Sequence, residues 1–233
     1  MNRFRATLER SLALTPTTKH LQWQVAGGAS LAFTAGQFLS LELGPHTRAY
    51  SIASPPQDDA RFELCLNRVP GGAVSNHLCD LEPGAVLEFS GPYGFFTVAQ
   101  PVDRDLVFIA TGTGIAPVRS MLADLLAHGR AGGHRLTLIF GVRHEQSLLY
   151  RDELEQLARV HQNFAFVPTL SRPSPGWRGQ SGHVQQALLD RFARRSDFAA
   201  YVCGLRAMVD DVRLLLRERC RLDRKQVHHE RYD

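Results

Sequence analysis

Four consecutive residues, Arg48-Ala49-Tyr50-Ser51, offer a guanidinium, a phenol ring and a hydroxyl. On a strand, alternation puts Arg48 and Tyr50 on one face and Ser51 on the other. An Arg fork suits a pyrophosphate, a Tyr ring offers a stacking plane, and a Ser hydroxyl both donates and accepts. Further along, Gly71-Gly72-Ala73-Val74-Ser75 forms a glycine turn able to open a helix. A second such turn, Thr111-Gly112-Thr113-Gly114-Ile115-Ala116-Pro117, follows the apolar run Leu106–Ala110. Gly112 and Gly114 let the chain turn sharply and leave room for a pyrophosphate, while Pro117 suits the first helical turn. Free N–H groups and the positive helix end then face the anion. The spacing is Gly-x-Gly-x-x-Pro, without the third glycine of the dinucleotide fingerprint, so alone it also fits an ordinary strand-to-helix connection. Two phosphate-type turns in one chain point to two nucleotides.

The elements that must hold these residues fall into two groups. Residues 1–99 carry short alternating runs (Phe4–Leu8, Leu21–Val25, Gln37–Leu43, Arg61–Val69, Val86–Ser90) between Gly, Pro and Asp turns. Regular short strands of this kind predict a small antiparallel β-barrel, interrupted by one helix from Gly72–Ser75. The polar, proline-bearing stretch 99–105 reads as a domain boundary. Residues 105–233 alternate five strands (Leu106–Ala110, Leu136–Phe140, Phe164–Pro168, Ala199–Cys203, Val227–His229) with helices near Pro117–His128, Tyr150–His161, Val184–Arg194 and Arg206–Cys220. That order predicts an α/β domain with a doubly wound, five-stranded parallel sheet and ligands at the strands' carboxyl ends. Met208, Val212, Leu215 and Leu216 fall on one helical face and read as core.

Composition narrows the class. The chain has 233 residues, 44% hydrophobic and 21% charged, with a net charge of +4. These values are ordinary for a soluble globular protein of one large or two small domains. No signal-peptide pattern or 18-residue apolar run occurs, so a cytoplasmic protein that uses no membrane is expected. The basic residues are nearly all Arg and form no dense run, which speaks against nucleic acid. Cys65, Cys79, Cys203 and Cys220 fit no zinc or iron–sulfur spacing, and no metal is expected.

Five segments stand in order along the chain: Arg48-Ala49-Tyr50-Ser51, Gly72-Ala73-Val74-Ser75, Gly91-Pro92-Tyr93-Gly94, Gly112-Thr113-Gly114-Ile115-Ala116-Pro117 and Cys203-Gly204-Leu205-Arg206-Ala207-Met208. The series resembles the ferredoxin–NADP reductase family over nearly the whole chain. The resemblance implies an FAD-binding barrel domain over 1–99 and an NAD(P)-binding domain over 105–233. It places Arg48 on the flavin pyrophosphate, Tyr50 on the isoalloxazine and Ser51 at flavin N5, the hydride-accepting atom. It gives Gly72, Ala73, Val74 and Ser75 amides to the same pyrophosphate, with Ser75 also readable as a simple N-cap. The 91–95 segment resembles the family's barrel-closing loop. Thr111, Gly112, Thr113 and Gly114 would cradle the pyridine nucleotide.

The same resemblance places Cys203 beside the nicotinamide; a merely buried core thiol is the alternative. Glu230 resembles a family carboxylate that balances the charge of oxidised nicotinamide; a solvated tail is the alternative. Plant-type relatives end on an aromatic residue that shields the flavin, whereas here Tyr232-Asp233 stand last. Tyr232 therefore covers the flavin, its adenine, or neither. Ser171 and Arg172, with Arg178 and Arg143, favour the 2′-phosphate of NADP, with NAD still open. Many relatives carry a fused iron–sulfur domain, for which the four cysteines of this chain lack the spacing. The implied activity is hydride exchange between NAD(P)H and FAD, then single electrons to or from a ferredoxin or flavodoxin, by a monomer. The alternatives are the reductase component of an oxygenase and a non-catalytic regulatory subunit. Ser51, Cys203 and Glu230 speak against the last.

Overall fold

The computed structural model describes residues 3–28, 31–57 and 60–232. They form two compact units: residues 1–98 with 119–124, and residues 99–118 with 125–233.

The first unit holds six strands, β1 (Arg3–Thr15), β2 (Thr18–Val25), β3 (Phe38–Leu43), β4 (His46–Ser51), β5 (Arg61–Asn67) and β6 (Val86–Tyr93), and one helix, α1 (Ala73–Asp80). They pair antiparallel in the order β4-β3-β6-β1-β2-β5. An Ile52↔Leu64 bridge joins the chain just after β4 to β5 and closes the sheet into a barrel. Closure is made there, and Gly91-Pro92-Tyr93 simply ends β6. Alternation does the sorting, because one face of each strand fills the interior. Leu21, Trp23, Leu39, Leu41, Phe62 and Leu64 are fully buried, and the Trp23 and Phe62 rings stack. Helix α1 packs on β3, β4 and β5.

The second unit is a parallel sheet of β7 (Asp105–Thr111), β8 (Leu136–Val142), β9 (Phe164–Leu170), β10 (Gln180–Ser181), β11 (Phe198–Leu205) and β12 (Val227–Tyr232). Their order is β10-β9-β8-β7-β11-β12. The five expected strands are present, and two-residue β10 adds a sixth at the edge. β7 and β11 are apolar and buried almost throughout, as strands covered on both faces must be. The connecting helices are α2 (Ile115–Ala127), α3 (Arg151–Val160), α4 (Val184–Phe192) and α5 (Arg206–Glu218). In α5, Val209, Val212 and Leu216 are buried, with Met208 and Leu215 packed at the margin. From β7 the chain runs outward through β8 and β9, then returns to place β11 on the other side. The sheet's topological switch therefore lies beside the carboxyl end of β7, where open α/β sheets form their ligand crevice.

The polar run Val227–Tyr232 departs from a short strand ending at His229. It pairs with β11 along its whole length, from Ala200↔Val227 to Leu205↔Tyr232. Main-chain pairing to a buried neighbour, rather than side-chain hydrophobicity, makes it a strand. Asp233 lies outside the described residues. Among the described residues no helix is long and apolar enough to cross a membrane.

Candidate active site

In the barrel unit, β4 turns Arg48 and Tyr50 to the same side as their β3 partners Leu41 and Leu39. This side faces α1: Tyr50 feels both Cys79 of α1 and Arg48 electrostatically. Burial and Cys79 push the Tyr50 phenol up to about 12 against the pull of Arg48, so the ring is a neutral platform at working pH. The Arg48 guanidinium is exposed and donates to its neighbour's carbonyl, Thr47 O (2.8 Å).

The first turn of α1 is laid out for an anion. Gly72 is its N-cap and has no side chain with which to cap it. The helical ladder begins with Asn76 N–H donating to Gly72 O (3.1 Å), so the amides of Ala73, Val74 and Ser75 precede it. The Gly72 amide differs from the expectation, because it donates to Val69 O (2.9 Å) and shapes the turn instead. Ser75 is not the N-cap. Its Oγ accepts from Val69 N–H (3.3 Å) and donates to Gly72 O (3.4 Å). Asn76 Oδ1 and Tyr93 Oη are buried with no hydrogen-bond partner among the described residues. Buried polar atoms are normally paired, so an acceptor and a phenol left open in this unit fit a polar ligand such as FAD. Ser51 lies on the opposite face of β4 and is nearly buried, paired with Phe38, which in turn pairs with Tyr93.

In the second unit Thr111, Gly112, Thr113 and Gly114 turn the chain from β7 into α2 through a short 3-10 segment. This segment makes Ile115 the first residue of α2 and Pro117 the third, still within the first turn. Gly112 has φ +54 and open space where a Cβ would stand. The room at Gly114 belongs to the fold instead: a Cβ there would lie 2.4 Å from Cys203 O and 2.8 Å from Gly204 N. Gly204, at φ +150, is needed because a Cβ would meet Thr111 Oγ1 at 2.2 Å. The ends of β7 and β11 are thus pressed backbone to backbone. Thr111 Oγ1, buried between them, has no partner among the described residues. An unpaired hydroxyl beside a helix-opening glycine turn at the switch point fits a nucleotide.

The β11–β12 register brings Cys203 opposite Glu230. Burial and the neighbouring Glu230 charge push the Cys203 thiol well up, against a hydrogen bond with Tyr232. Cys203 is fully buried and keeps its proton at neutral pH. Cys203, Glu230 and Tyr232, which lie far apart in sequence, therefore form one cluster next to the Thr111–Gly114 turn.

The remaining candidates meet a third feature, a cavity of about 750 Å³ at the carboxyl ends of β8 and β9. Arg172 lines it with His144, Glu145, Gln146, Arg151 and Ser174. Arg143 and Ser171 enter through main chain: Arg172 N–H donates to Arg143 O (2.8 Å) and Ser171 N–H to Val142 O (3.1 Å). Arg178 does not line the cavity. Arg151 lies between Glu145 (2.5 Å) and Glu155 (2.8 Å), whereas no carboxylate among the described residues pairs with Arg172. The sequence reading missed His144, Glu145 and Arg151. The loop after β8 follows a strand's carboxyl end just as the loop after β9 does, and that symmetry was the available signal.

These features define an oxidoreductase that uses a flavin and a pyridine nucleotide. Residues 5–98 match the oxidoreductase FAD-binding domain and residues 108–214 the oxidoreductase NAD-binding domain. The chain is 41% identical to ferredoxin–NADP reductase B of Sorangium cellulosum, over 99% of this chain and 98% of that one. It is 34% identical to the phenol hydroxylase P5 protein of Acinetobacter pittii over 98% of its length, but spans only 65% of that relative. The crystal structure of the Amycolatopsis cytochrome P450 reductase GcoB superposes with a TM-score of 0.88 at 28% identity, covering 99% of this chain and 69% of that one. The chain belongs to the ferredoxin–NADP reductase family, as an enzyme with FAD-binding and NAD(P)-binding domains.

Proposed function

We propose that this chain is an FAD-dependent NADPH oxidoreductase that exchanges single electrons with a ferredoxin or flavodoxin, with its FAD domain over 1–99 and its nucleotide domain over 105–233. The observation that carries the reading is the Cys203–Glu230–Tyr232 cluster beside the Thr111–Gly114 turn at the sheet's switch point. When bound, FAD supplies the conversion between two-electron and one-electron transfer. Arg48 and the amides of Ala73, Val74 and Ser75 hold its pyrophosphate, Tyr50 gives a neutral stacking face, and Ser51 places a hydroxyl at flavin N5. Thr111, Gly112, Thr113 and Gly114 receive the nucleotide. Cys203 gives a protonated, polarizable wall for the nicotinamide, Glu230 balances the positive charge of its oxidised form, and Tyr232 holds the thiol in place.

Arg172 is the cavity cation left for the 2′-phosphate, with Arg143, Ser171 and Arg178 around its loop. NADPH is thus preferred over NADH. The full-length likeness to a ferredoxin–NADP reductase supports the ferredoxin partner. A second reading, the reductase of an oxygenase, is favoured by the likeness to a phenol hydroxylase protein. The four cysteines are free and buried, which suits a cytoplasmic monomer. Anaerobic turnover with NADPH and each carrier tests the choice. Transfer to ferredoxin or flavodoxin supports the first reading, and transfer only to an oxygenase component supports the second.

A further inference from the structure

The three residues after Ser51 are held more tightly than a strand end requires. Ile52 N–H donates to Gln37 O (2.9 Å). Ala53 N–H donates to Glu63 O (2.8 Å), and Ala53 O accepts from Arg119 (2.9 Å). Ser54 Oγ accepts from Glu63 N–H (3.1 Å), and Ser54 O accepts from Ser120 Oγ (2.6 Å). Arg119 and Ser120 belong to the 119–124 segment grouped with the barrel unit. One Arg119 nitrogen reaches both Ala53 O and Glu63 Oε2, the latter at 2.6 Å. Gln22 donates to the other Glu63 oxygen (3.0 Å), with His20 Nε2 3.7 Å away. The pair is mostly buried, with side chains 15% and 19% exposed.

A buried carbonyl needs only one neutral donor, and a buried ion pair is a poor source of net stability. What the pair adds is a fixed direction. Glu63 grips Ala53 and Ser54 by main chain and fixes Arg119 by side chain, so Ala53 is held at both its N–H and its carbonyl. We propose that Glu63 and Arg119 are positioning residues that fix the Ile52–Ser54 segment and thereby set the Ser51 hydroxyl at the flavin. The inference rests on the assignment of Ser51 above.

The test is stopped-flow flavin reduction by saturating NADPH in the full chain, with FAD content, NADPH affinity and thermal midpoint measured alongside. The variants are Ser51→Ala, the double variant Glu63→Met with Arg119→Met, the three changes combined, and Arg119→Lys. The double change removes both charges and leaves neither unpaired, so folding is expected to survive. Expected are full FAD content, unchanged NADPH affinity, and reduction slowed about tenfold in the double variant, with the triple variant no slower than Ser51→Ala. Arg119→Lys keeps the charge but loses the fixed fork, and is expected to be slowed as well. A double variant that reduces at the wild-type rate while Ser51→Ala is slow overturns the inference and leaves Ser51 in place. Rates that multiply in the triple variant overturn it too, since the pair then acts independently of Ser51. If Ser51→Ala is itself unimpaired, the assignment of Ser51 falls and the inference with it. Should the double variant not fold, Arg119→Lys decides: slow reduction upholds the inference, and a wild-type rate with only a lower thermal midpoint overturns it.

Discussion

Arg151 and Arg172 line one cavity, but only Arg172 has its charge to give. Glu145 and Glu155 already hold Arg151. A hydrogen bond to a charged group is worth about 1.5–3 kcal/mol, so Arg172→Ala should lower NADPH efficiency roughly tenfold to a hundredfold. NADH efficiency should barely change, and rising salt should weaken NADPH more than NADH. Steady-state kinetics with both nucleotides checks this; equal losses would contradict it. We place Cys203 and Glu230 at the nicotinamide instead. Cys203→Ala and Glu230→Ala should each slow flavin reduction at least about tenfold, or about 1.4 kcal/mol of barrier, with FAD content unchanged. Single-turnover reduction measures it. Because burial and Glu230 hold the thiol protonated, Cys203 should also resist iodoacetamide in the native protein. The Arg48/Tyr50 parity was legible from alternation alone. The Glu63–Arg119 pair was not, since its partners lie 56 positions apart and neither sits in a local pattern.

At the level of elements, both glycine turns could be read from the sequence, but for Gly114 the reason differs. Its missing side chain makes room for the β11 backbone at Cys203, a contact between segments that no local pattern encodes. Gly114→Ala puts a methyl 2.4 Å from a main-chain oxygen. Main chain in a central strand yields little, so the cost should be at least about 1–3 kcal/mol. Gly112→Ala meets no atom, and its cost should come only from the positive φ, about 1–2 kcal/mol. Urea midpoints of the two variants check the order. The alternation of strands with helices was visible because buried parallel strands read as apolar runs. β12 was cut short at His229 because Glu230-Arg231-Tyr232 looks like a tail. Its strand character comes from pairing with β11, which only the fold supplies.

For the molecule as a whole, the two-domain plan was the most legible feature, since period-two runs give way to strand–helix alternation near residue 100. The cavity at the ends of β8 and β9 was half legible, because its walls come from two loops separated by a strand and a helix. Glu63 gives stability a pH signature. Burial pushes the Glu63 carboxyl up, but His20 and Arg119 outweigh it and hold the group at about 2, below its ordinary 4.5. A carboxyl depressed on folding stabilises fully above its unfolded pKa and loses that contribution as pH falls through its folded one. The loss should run from about pH 4.5 down to about pH 2 and amount to something on the order of 3 kcal/mol. Urea unfolding across that window should show it in the wild type, and replacing both Glu63 and Arg119 by Met should flatten it. This chain should bind FAD and reduce it with NADPH. Anaerobic mixing of the purified protein with NADPH, followed at the flavin's visible absorption, tests it most directly. Rapid bleaching, faster with NADPH than with NADH and with FAD recovered from the denatured protein, is the predicted result; a flavin that stays oxidised with both nucleotides would contradict it.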